Sequence, residues 1–585
     1  MFGWTGKSLK VDLTSQRVEA CSTRTELVEE FLGGRGFGVR LVSERCSLDP
    51  FDPGMALVIA TGPLTNSMLP TSGRWSVVSQ SPLTGTIFDA SCGGSFGHHL
   101  KGAGYDYLLV EGKSTKPVYL KITSSAATLE DASHLWGKTT SETTRLLRDQ
   151  GSVATVGPAG EKRVLFANIV SDYTFCAGRG GLGAVMASKG LKAIVVKGDR
   201  KLPVADPGKV KTANQDILRL LKASPAIWGA FGLREFGTAA LVDLLHMRRM
   251  MPTNNFRETF FSESHRFSGY TLTDTYKSRK HACHSCPIAC KKTGEDGTSM
   301  PEFETVSHFG ALNGNDDLDA IVKANTLCNE YGMDTISVAA TISAYAEVAG
   351  ERFGPARLLE LVRLTGDREG IGDQLAEGSS RFAAFRGAPG ASMSCKSLEF
   401  PAYDPRGAYG MALAYATSNR GGCHLRAYPI SHEILRKPVV TDRFSFEGKA
   451  RVIKISEDIN AAIDSMIACK FAFFGASLEE YALALSGVTG RHYDAQSLQK
   501  IGERICLLER SVNSKLGFSR KDDDLPGRFF TDEGSSTEKL KILPLNRKDF
   551  EDCLSRYYRI RGCDAGGVPT EEKLLELGIN VAADQ

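Results

Sequence analysis

The chain has 585 residues, of which 42% are hydrophobic and 24% charged, and its formal net charge is +3. This length allows several domains with sizeable cores, and the composition is that of a globular protein. The mild and evenly mixed charge argues against a nucleic-acid partner, and no segment approaches the roughly 20 apolar residues of a membrane helix, so we expect no membrane partner either.

The first part of the chain, residues 1–205, is predicted to form a β-rich domain. Short apolar runs such as LKAIVVKG (191–198) alternate there with glycine-rich turns. Many of the 60 glycines cluster in GGRGFG (33–38), CGGSFG (92–97) and GRGGLG (178–183). Such clusters indicate places where the backbone approaches a ligand closely or adopts a positive φ.

The pattern becomes helical after VADPGKV (204–210), where proline and glycine indicate a boundary. In DTISVAATISAYAEVAG (334–350), apolar residues recur at three- and four-residue spacing, and Asp334 is a suitable helix N-cap. We therefore predict one mainly helical domain over residues 206–400 and another over residues 401–585. The predicted fold class is α+β and multidomain, with a β-rich domain that cradles a cofactor followed by two mainly helical domains.

The cysteine content bears on the compartment. No long apolar run follows the first lysines in MFGWTGKSLKVDLTS, so we expect no signal peptide. Fourteen cysteines in such a chain favour a reducing compartment, the cytoplasm, and a metal site with buried thiols over a set of disulfides.

The segment CHSCPIAC (283–290) contains three cysteines at C-x₂-C-x₃-C spacing, Cys283, Cys286 and Cys290. Four thiolates can hold a 4Fe–4S cluster or a structural zinc ion. Zinc sites usually combine two C-x₂-C pairs, so this spacing with a distant fourth ligand favours the cluster. Spacing alone leaves the fourth ligand open among Cys328, Cys395, Cys423, Cys469 and Cys506.

A weak internal repeat relates NEYGMD (329–334) to DSMIAC (464–469). Each segment begins with Asp or Asn, ends on a polar or thiolate group and precedes an apolar, helix-like run. Cys469 would thus lie at a helix N-terminus, which favours a negative charge. Two such units in two halves of a chain could hold two halves of one ligand.

Two segments of the first domain combine arginine with glycine. In GRGGLGAVMASKGLKAIVV (178–196) Arg179 precedes three glycines, and TSGRWS (71–76) supplies Arg74. Open backbone N–H groups beside an arginine suit a phosphate, although tight turns with surface arginines are the alternative. Neither segment is a GxGxxG or P-loop motif, so a large phosphorylated cofactor fits better than NAD or ATP.

Taken together, these motifs resemble the tungsten- and molybdenum-dependent aldehyde:ferredoxin oxidoreductases over nearly the whole chain. The resemblance is carried by GGRGFG, TSGRWS, CGGSFG, RGGLGAVMASKGLKAIVV, the three cysteines, PEFET (301–305), ATSNRGGCHLRAYP (416–429), DSMIACKF (464–471) and GCDAGGVPTEEKLLELGI (562–579).

The resemblance implies tungsten or molybdenum held by the dithiolenes of two molybdopterin-type pterins, Mg²⁺ bridging the pterin phosphates, and a 4Fe–4S cluster. It implies that Cys469 completes the cluster ligands Cys283, Cys286 and Cys290. The implied cofactor contacts are Arg74, Gly93 and Arg179 to pterin or phosphate, backbone carbonyls of Ser91 and Gly180 to Mg²⁺, and Asp334, Arg426 and Asp464 to the pterins.

The chain also departs from the family pattern. Asn329 stands where the first pterin motif usually has Asp, and Ile467 and Ala468 replace Gly-Leu in the second. We find no counterpart of the iron site that some members hold between subunits.

The resemblance further implies oxidation of aldehydes to carboxylic acids, or the reverse, with Glu304 and His424 as the active-site acid and base. Glu302 is close enough in sequence to exchange roles with Glu304. Electrons would pass through the cluster to ferredoxin or a partner subunit, and a homodimer is expected by analogy.

Two alternatives remain open at this stage. The same cofactor could act on another carbonyl or an aromatic acyl-thioester, because the motifs do not fix the substrate pocket. A zinc-stabilised binding protein without redox activity is the alternative from a different class.

Overall fold

A computed structural model describes residues 2–579 of the chain. Residue 1 of the first predicted domain and residues 580–585 of the third lie outside the described residues. The strands are β1 Lys7–Asp12, β2 Arg17–Ser22, β3 Leu57–Ala60, β4 Trp75–Gln80, β5 Ile87–Cys92, β6 Tyr107–Glu111, β7 Val118–Thr123, β8 Ala127–Asp131, β9 Ser152–Thr155, β10 Ile169–Ser171, β11 Phe175–Ala177, β12 Leu191–Lys197, β13 Arg279–His281, β14 Lys291–Thr293, β15 Ser394–Cys395 and β16 Leu398–Glu399.

The helices complete the element list. They are α1 Thr25–Phe31, α2 Gly34–Val42, α3 Phe96–Gly102, α4 Thr140–Leu147, α5 Pro158–Glu161, α6 Leu182–Ser188, α7 Pro207–Ala223, α8 Pro225–Trp228, α9 Leu233–Phe236, α10 Leu241–Met247, α11 Gly269–Tyr276, α12 Phe303–Phe309, α13 Leu318–Tyr331, α14 Thr335–Ala349, α15 Pro355–Asp367, α16 Ile371–Leu375, α17 Ser379–Phe385, α18 Tyr409–Thr417, α19 Ile430–Glu433, α20 Lys449–Met466, α21 Leu478–Thr489, α22 Ala495–Lys515, α23 Arg528–Thr531, α24 Arg547–Arg561 and α25 Glu571–Glu576.

Two six-stranded sheets form the N-terminal part, with strand orders β2-β1-β6-β3-β4-β5 and β11-β10-β9-β12-β7-β8. In the second sheet β12 runs parallel to β7 and antiparallel to β9. The LKAIVV residues of β12 are all buried, which is why this strand is apolar at every position except Lys192, whose ammonium pairs with Glu161. β5 and β11 are end strands of their sheets, and they contact each other.

The remainder of the chain is mainly helical, which confirms the predicted α+β class. α14 begins at the predicted N-cap Asp334, whose side chain accepts a hydrogen bond from the backbone N–H of Ile336. α20 packs against α22, α24 and the N-terminal helix α2, so the helical part closes over the first sheet. The predicted division of this helical part at residue 400 stays a prediction.

No helix within residues 2–579 is long and apolar enough to cross a bilayer.

Candidate active site

A cavity of about 320 Å³ opens where β5 and β11 meet the helical part. It is lined by residues from both strands, from the cysteine loop and from the loops before α12, α14 and α21. Twelve of the fourteen predicted site residues line it: Arg74, Ser91, Gly93, Arg179, Cys283, Cys290, Glu304, Asp334, His424, Arg426, Asp464 and Cys469. The structure thus brings together residues that are up to several hundred positions apart in the chain.

Gly180 and Cys286, the other two predicted residues, are not in the cavity lining. Gly180 has φ +85°, and a Cβ there would lie 2.4 Å from the ring of Phe88. A turn and a close contact therefore explain this glycine within the protein itself. Its predicted carbonyl contact to Mg²⁺ stays a prediction.

The two segments of the weak repeat have the same backbone form. α13 ends at Gly332, which is left-handed with φ 72°, and Asp334 then caps α14. α20 ends at Ile467, also left-handed with φ 66°, and Cys469 then caps a short 3₁₀ helix, Lys470–Phe474. Each unit is thus a helix, one left-handed residue and a new helix start. Their first residues, Asn329 and Asp464, both line the cavity.

The four predicted cluster cysteines form one group. Cys283, Cys286 and Cys290 lie between β13 and β14. Burial, together with the nearby thiols of Cys469 and Cys283, raises the pKa of Cys286 to about 12. Burial and the Cys469 thiol likewise raise the pKa of Cys290 well above its usual value. Such buried thiols could become thiolates together only beside cations, and the iron ions of an iron–sulfur cluster are cations of this kind.

The possible metal ligands of the described residues are too far apart to share one ion. Within residues 2–579, no three His, Cys, Asp or Glu side chains converge closely enough to hold a single metal ion. The end of β5 nevertheless approaches the cysteine loop closely, because a Cβ on Gly93 would lie 2.5 Å from the sulfur of Cys283. Glycine at this position keeps space free beside the thiols.

Arg74 lines the cavity beside these thiols. Its guanidinium donates from Nε to Oγ of Ser91 at 2.9 Å and from Nη2 to the Ser91 carbonyl at 3.0 Å. The sulfur atoms of Cys469 and Cys283 lie near this guanidinium. An arginine in this place can bind an anionic cofactor on one side and a thiolate-bound cluster on the other.

Arg179 ties the glycine-rich turn of the second sheet to the helical part. Its Nε donates to Asp334 at 3.1 Å, Nη1 to the Gly422 carbonyl at 3.1 Å, and Nη2 to the Glu399 carbonyl at 2.6 Å. The side chain therefore has a fixed orientation along the cavity wall.

A buried ionic network surrounds Arg426. This arginine pairs with Asp89 and lies 3.7 Å from Asp464, which also accepts a hydrogen bond from Lys470 at 2.6 Å. The Nε of Arg426 is buried and has no hydrogen-bond partner. A buried guanidinium donor left free at a cavity is costly, so it suits an anionic ligand such as a pterin phosphate.

Glu304 and His424 face each other across the cavity. Glu304 lies in the first turn of α12, and its Oε1 is 3.5 Å from Nε2 of His424. Its other oxygen accepts a hydrogen bond from the backbone N–H of Ala402 at 2.8 Å. Oε1 of Glu304 and Nδ1 of His424 are buried without hydrogen-bond partners, so both atoms are available to a ligand.

Burial makes both members of this pair neutral at pH 7. It raises the pKa of Glu304 to about 8. It lowers the pKa of His424 well below its usual value, and the guanidinium groups of Arg179 and Arg420 lower it further. Glu302, by contrast, is 43% exposed and pairs with Lys291 at 3.1 Å. The geometry therefore favours Glu304 over Glu302 as the partner of His424.

Aromatic rings form the wall beside His424. The ring of Tyr403 is 5.3 Å from the imidazole and that of Tyr428 is 6.0 Å from it, centroid to centroid. Phe474 extends this wall at 5.7 Å from Tyr428. His98 and His99 do not take part, since His98 stacks on His284 at 3.7 Å and neither lines the cavity.

Sequence reasoning missed several residues of the site. Asp89 accepts from Arg426, and Arg420 donates from Nη2 to the sulfur of Cys423 at 2.9 Å. Burial alone would raise the pKa of Cys423, but Arg420, Arg426 and Arg179 lower it to about 7. Arg420, which stands beside glycines in SNRGG, could have been found from its motif, whereas nothing in the sequence connects Asp89 to Arg426.

The chain is similar to known proteins over nearly its whole length. The family models for aldehyde ferredoxin oxidoreductase match residues 8–198 with the N-terminal domain and residues 212–579 with domains 2 and 3. Tungsten-containing aldehyde ferredoxin oxidoreductases of Pyrococcus furiosus and Thermococcus kodakarensis are each 39% identical over 99% of this chain and 99% of their own length.

Two further proteins are less similar. The WOR-like subunit of an aliphatic sulfonate oxidoreductase from Pyrococcus furiosus is 28% identical over 100% of this chain and 98% of its own. The solved active-site complex BamBC of benzoyl coenzyme A reductase with 1,5-dienoyl-CoA has a TM-score of 0.85 at 24% identity, and the match covers 99% of this chain and 97% of that one. At this identity the likeness shows the fold.

Proposed function

The chain belongs to the aldehyde ferredoxin oxidoreductase family, and from this premise we propose that it oxidises aldehydes to carboxylic acids, or catalyses the reverse. The reaction would take place at a tungsten or molybdenum centre held by two pterins. The observation that carries the proposal is the pair Glu304 and His424, which lie 3.5 Å apart. The cavity that they share is also lined by three predicted cofactor-binding arginines and by three of the four predicted cluster cysteines.

The residues present fit the cofactors of this family. Arg74, Arg179 and Arg426 would hold pterin or phosphate, with Asp334 and Asp464 on pterin nitrogens. The carbonyls of Ser91 and Gly180 would bind Mg²⁺, and the four thiols would hold a 4Fe–4S cluster. When bound, the tungsten or molybdenum supplies Lewis acidity and two-electron redox chemistry.

The protein's own residues manage the protons. Oxidation of an aldehyde with water to a carboxylic acid releases two protons and two electrons. His424 is neutral at pH 7 and can accept a proton at a ring nitrogen, while Glu304 becomes an acceptor as the pH approaches its pKa of about 8. The rings of Tyr403 and Tyr428 pack beside His424.

The electrons would leave one at a time through the cluster to ferredoxin or a partner subunit. We also propose a homodimer and a cytoplasmic location. The fourteen cysteines of the sequence support a reducing compartment.

The proposal is tested with an anaerobic preparation assayed on a panel of aldehydes with a viologen dye. We expect dye reduction by several aldehydes, together with roughly four irons and about one tungsten or molybdenum per chain. Zinc as the only metal would contradict the proposal and support a zinc-stabilised binding protein instead.

A second candidate keeps the cofactor and changes the substrate to an aromatic acyl-thioester. The aromatic wall of Tyr403, Tyr428 and Phe474 beside His424 favours it, because planar rings pack on such walls. A fully metallated enzyme that is inactive with aldehydes but reacts with an aromatic acyl-CoA would establish this candidate over the first.

A further inference from the structure

A row of aromatic side chains lies on the surface between α8 and α11. Phe231 is 84% exposed and Tyr270 is 66% exposed. Phe236 lies between them, with ring centroids 6.4 Å from Phe231 and 6.5 Å from Tyr270. Single exposed apolar residues are common, but a contiguous group is more often a binding surface. We call Phe231, Phe236 and Tyr270 the aromatic row.

Hydrogen bonds connect the aromatic row to the cysteine loop. Arg234, which stands between Phe231 and Phe236 in the chain, donates from Nη1 to the carbonyl of Pro287. Lys292 donates from Nζ to the carbonyl of Arg234 at 2.8 Å and to that of Ala289 at 3.0 Å. Pro287 and Ala289 lie between Cys286 and Cys290, so the row is fixed against the loop that bears three of the four thiols.

The cysteine loop separates the cavity from this surface. Cys283 and Cys290 line the cavity on the inner side. Ala282, His284 and Ser285 of the same loop are exposed on the outer side. A cluster held by these thiols would therefore lie beside the cavity, in the loop to which Arg234 and Lys292 connect the aromatic row.

The charge of this face indicates the kind of partner. Residues 277–292 contain no Asp or Glu, and three of their five cations, Lys277, Arg279 and Lys280, are exposed, whereas Lys291 lines the cavity and Lys292 is buried. Arg279 and Lys280 are 74% and 39% exposed and form ion pairs with Glu295 at 3.6 Å and Glu235 at 2.7 Å. Exposed pairs of this kind are weak, so carboxylates of a partner can compete for the same cations.

We propose that the aromatic row, together with Arg279 and Lys280, is the docking surface for a small acidic iron–sulfur protein of the ferredoxin type. This inference rests on the proposed function and names the place where its electrons leave. Each aldehyde oxidised with water yields one carboxylic acid, two protons and two electrons. Two oxidised carriers would dock in succession, and each would leave with one electron.

The test compares three variants of the full-length, metal-loaded enzyme: Phe231→Ala, Arg279→Glu and the control Phe385→Ala. Phe385 is 72% exposed at the end of α17, so it matches Phe231 in kind and exposure. Two quantities are measured, the Kd for a purified acidic ferredoxin by calorimetry and the rate of aldehyde oxidation with a viologen dye. The dye reaches the cluster without docking.

We expect Phe231→Ala to raise the Kd for ferredoxin about tenfold, as the loss of an aromatic anchor does. Arg279→Glu should also raise the Kd and reduce its dependence on salt. The dye-linked rates of both variants, and both quantities in Phe385→Ala, should equal those of the wild type.

Three outcomes separate the possibilities. An unchanged Kd in both Phe231→Ala and Arg279→Glu would overturn the docking surface. A change from dimer to monomer in Phe231→Ala, seen by light scattering, would also overturn it, because a second copy would then occupy the row. A wild-type enzyme without dye-linked activity would refute the proposed function, while the Kd values would still decide whether this face binds the acidic protein.

Discussion

The carboxyl group of Glu304 is held in a state that is unusual for its type. Because burial raises its pKa to about 8, Glu304 is protonated at neutral pH and becomes a proton acceptor as the pH rises through 8. His424 does not titrate in this range, since its pKa is lowered well below the usual value. Since the pKa of Cys423 is lowered to about 7, the ionisation of Glu304 should dominate the pH dependence of aldehyde oxidation at and above pH 8.

We predict that kcat/KM for aldehyde oxidation in the wild type rises between about pH 7 and pH 9. In Glu304→Gln this rise should be absent, with kcat lower by roughly 10²–10⁴-fold, as expected for loss of a general base. Dye-linked assays across this pH range provide the measurement. Glu302→Gln is the matched control. A rise in kcat/KM that is lost in Glu302→Gln but kept in Glu304→Gln would show that Glu302, and not Glu304, is the proton acceptor.

The thiol of Cys469 is predicted to be the fourth cluster ligand, although it is 179 positions from Cys290 in the chain. Cys469→Ser should lower the iron content and the visible absorption of the anaerobic protein, because a serine hydroxyl is a poor ligand for a cluster. Cys553→Ser is the control, since that buried thiol lies in α24 and contacts the carbonyl of Phe446 at 3.5 Å. Equal iron content in the two variants would refute the ligand assignment.

At the scale of single elements, the left-handed residue between α20 and the following 3₁₀ helix stores strain. Ile467 has φ 66°, a conformation that a β-branched side chain rarely adopts. Its side chain is nevertheless 1% exposed and fills a notch, since Cβ atoms on Gly34 and Gly62 would lie 2.6 and 2.7 Å from it. Burial therefore compensates a strained backbone at this helix end.

Two substitutions at Ile467 separate these effects. Ile467→Ala should lower the free energy of unfolding by about 2–4 kcal/mol, because it removes the buried side chain and keeps the strain. Ile467→Gly removes the side chain and also the strain, so we expect it to be about 1 kcal/mol more stable than the alanine variant. Chemical denaturation measures the free energy of unfolding of both variants. An alanine variant as stable as the glycine variant would show that the backbone at residue 467 is not strained.

How far the elements could be predicted depends on the range of the interactions. The cap at Asp334, the helix that follows it and the loop of three cysteines depend on neighbours within a few residues, and the sequence pattern was sufficient for them. The similar form of the two repeat units was visible as a weak match. The 3₁₀ helix Lys470–Phe474 was expected only as a helix-like run, because packing decides between the two helix types.

At the scale of the whole molecule, the site depends on contacts that no local pattern encodes. Arg35 of α2 donates from Nε and Nη2 to both carboxylate oxygens of Glu509 of α22 at 2.7 Å, across 474 positions of the chain. Arg35 stands in the motif GGRGFG, so its importance could be suspected, but its partner could not. The pair is buried. It joins α2, which packs on the first sheet, to α22 of the helical part, which also carries Asp464 and Cys469.

We predict that Arg35→Met lowers the free energy of unfolding by about 3–5 kcal/mol, because it leaves the buried carboxylate of Glu509 without its cation. Arg363→Met is the control at the surface, where Arg363 is 45% exposed and pairs with Asp367 and Glu369 at 3.1 and 2.9 Å. Its loss should cost less than about 1 kcal/mol.

Adding Glu509→Leu to Arg35→Met should restore part of the lost stability, since the double variant also removes the carboxylate that Arg35→Met leaves unpaired. The three variants are compared with the wild type by the denaturant midpoint of the first unfolding transition. If Arg35→Met shifted this midpoint no more than Arg363→Met does, the buried pair would not couple the two parts of the molecule. A double variant less stable than Arg35→Met alone would show that Glu509 acts through Asn419, whose side chain also donates to it at 3.1 Å, and not through Arg35.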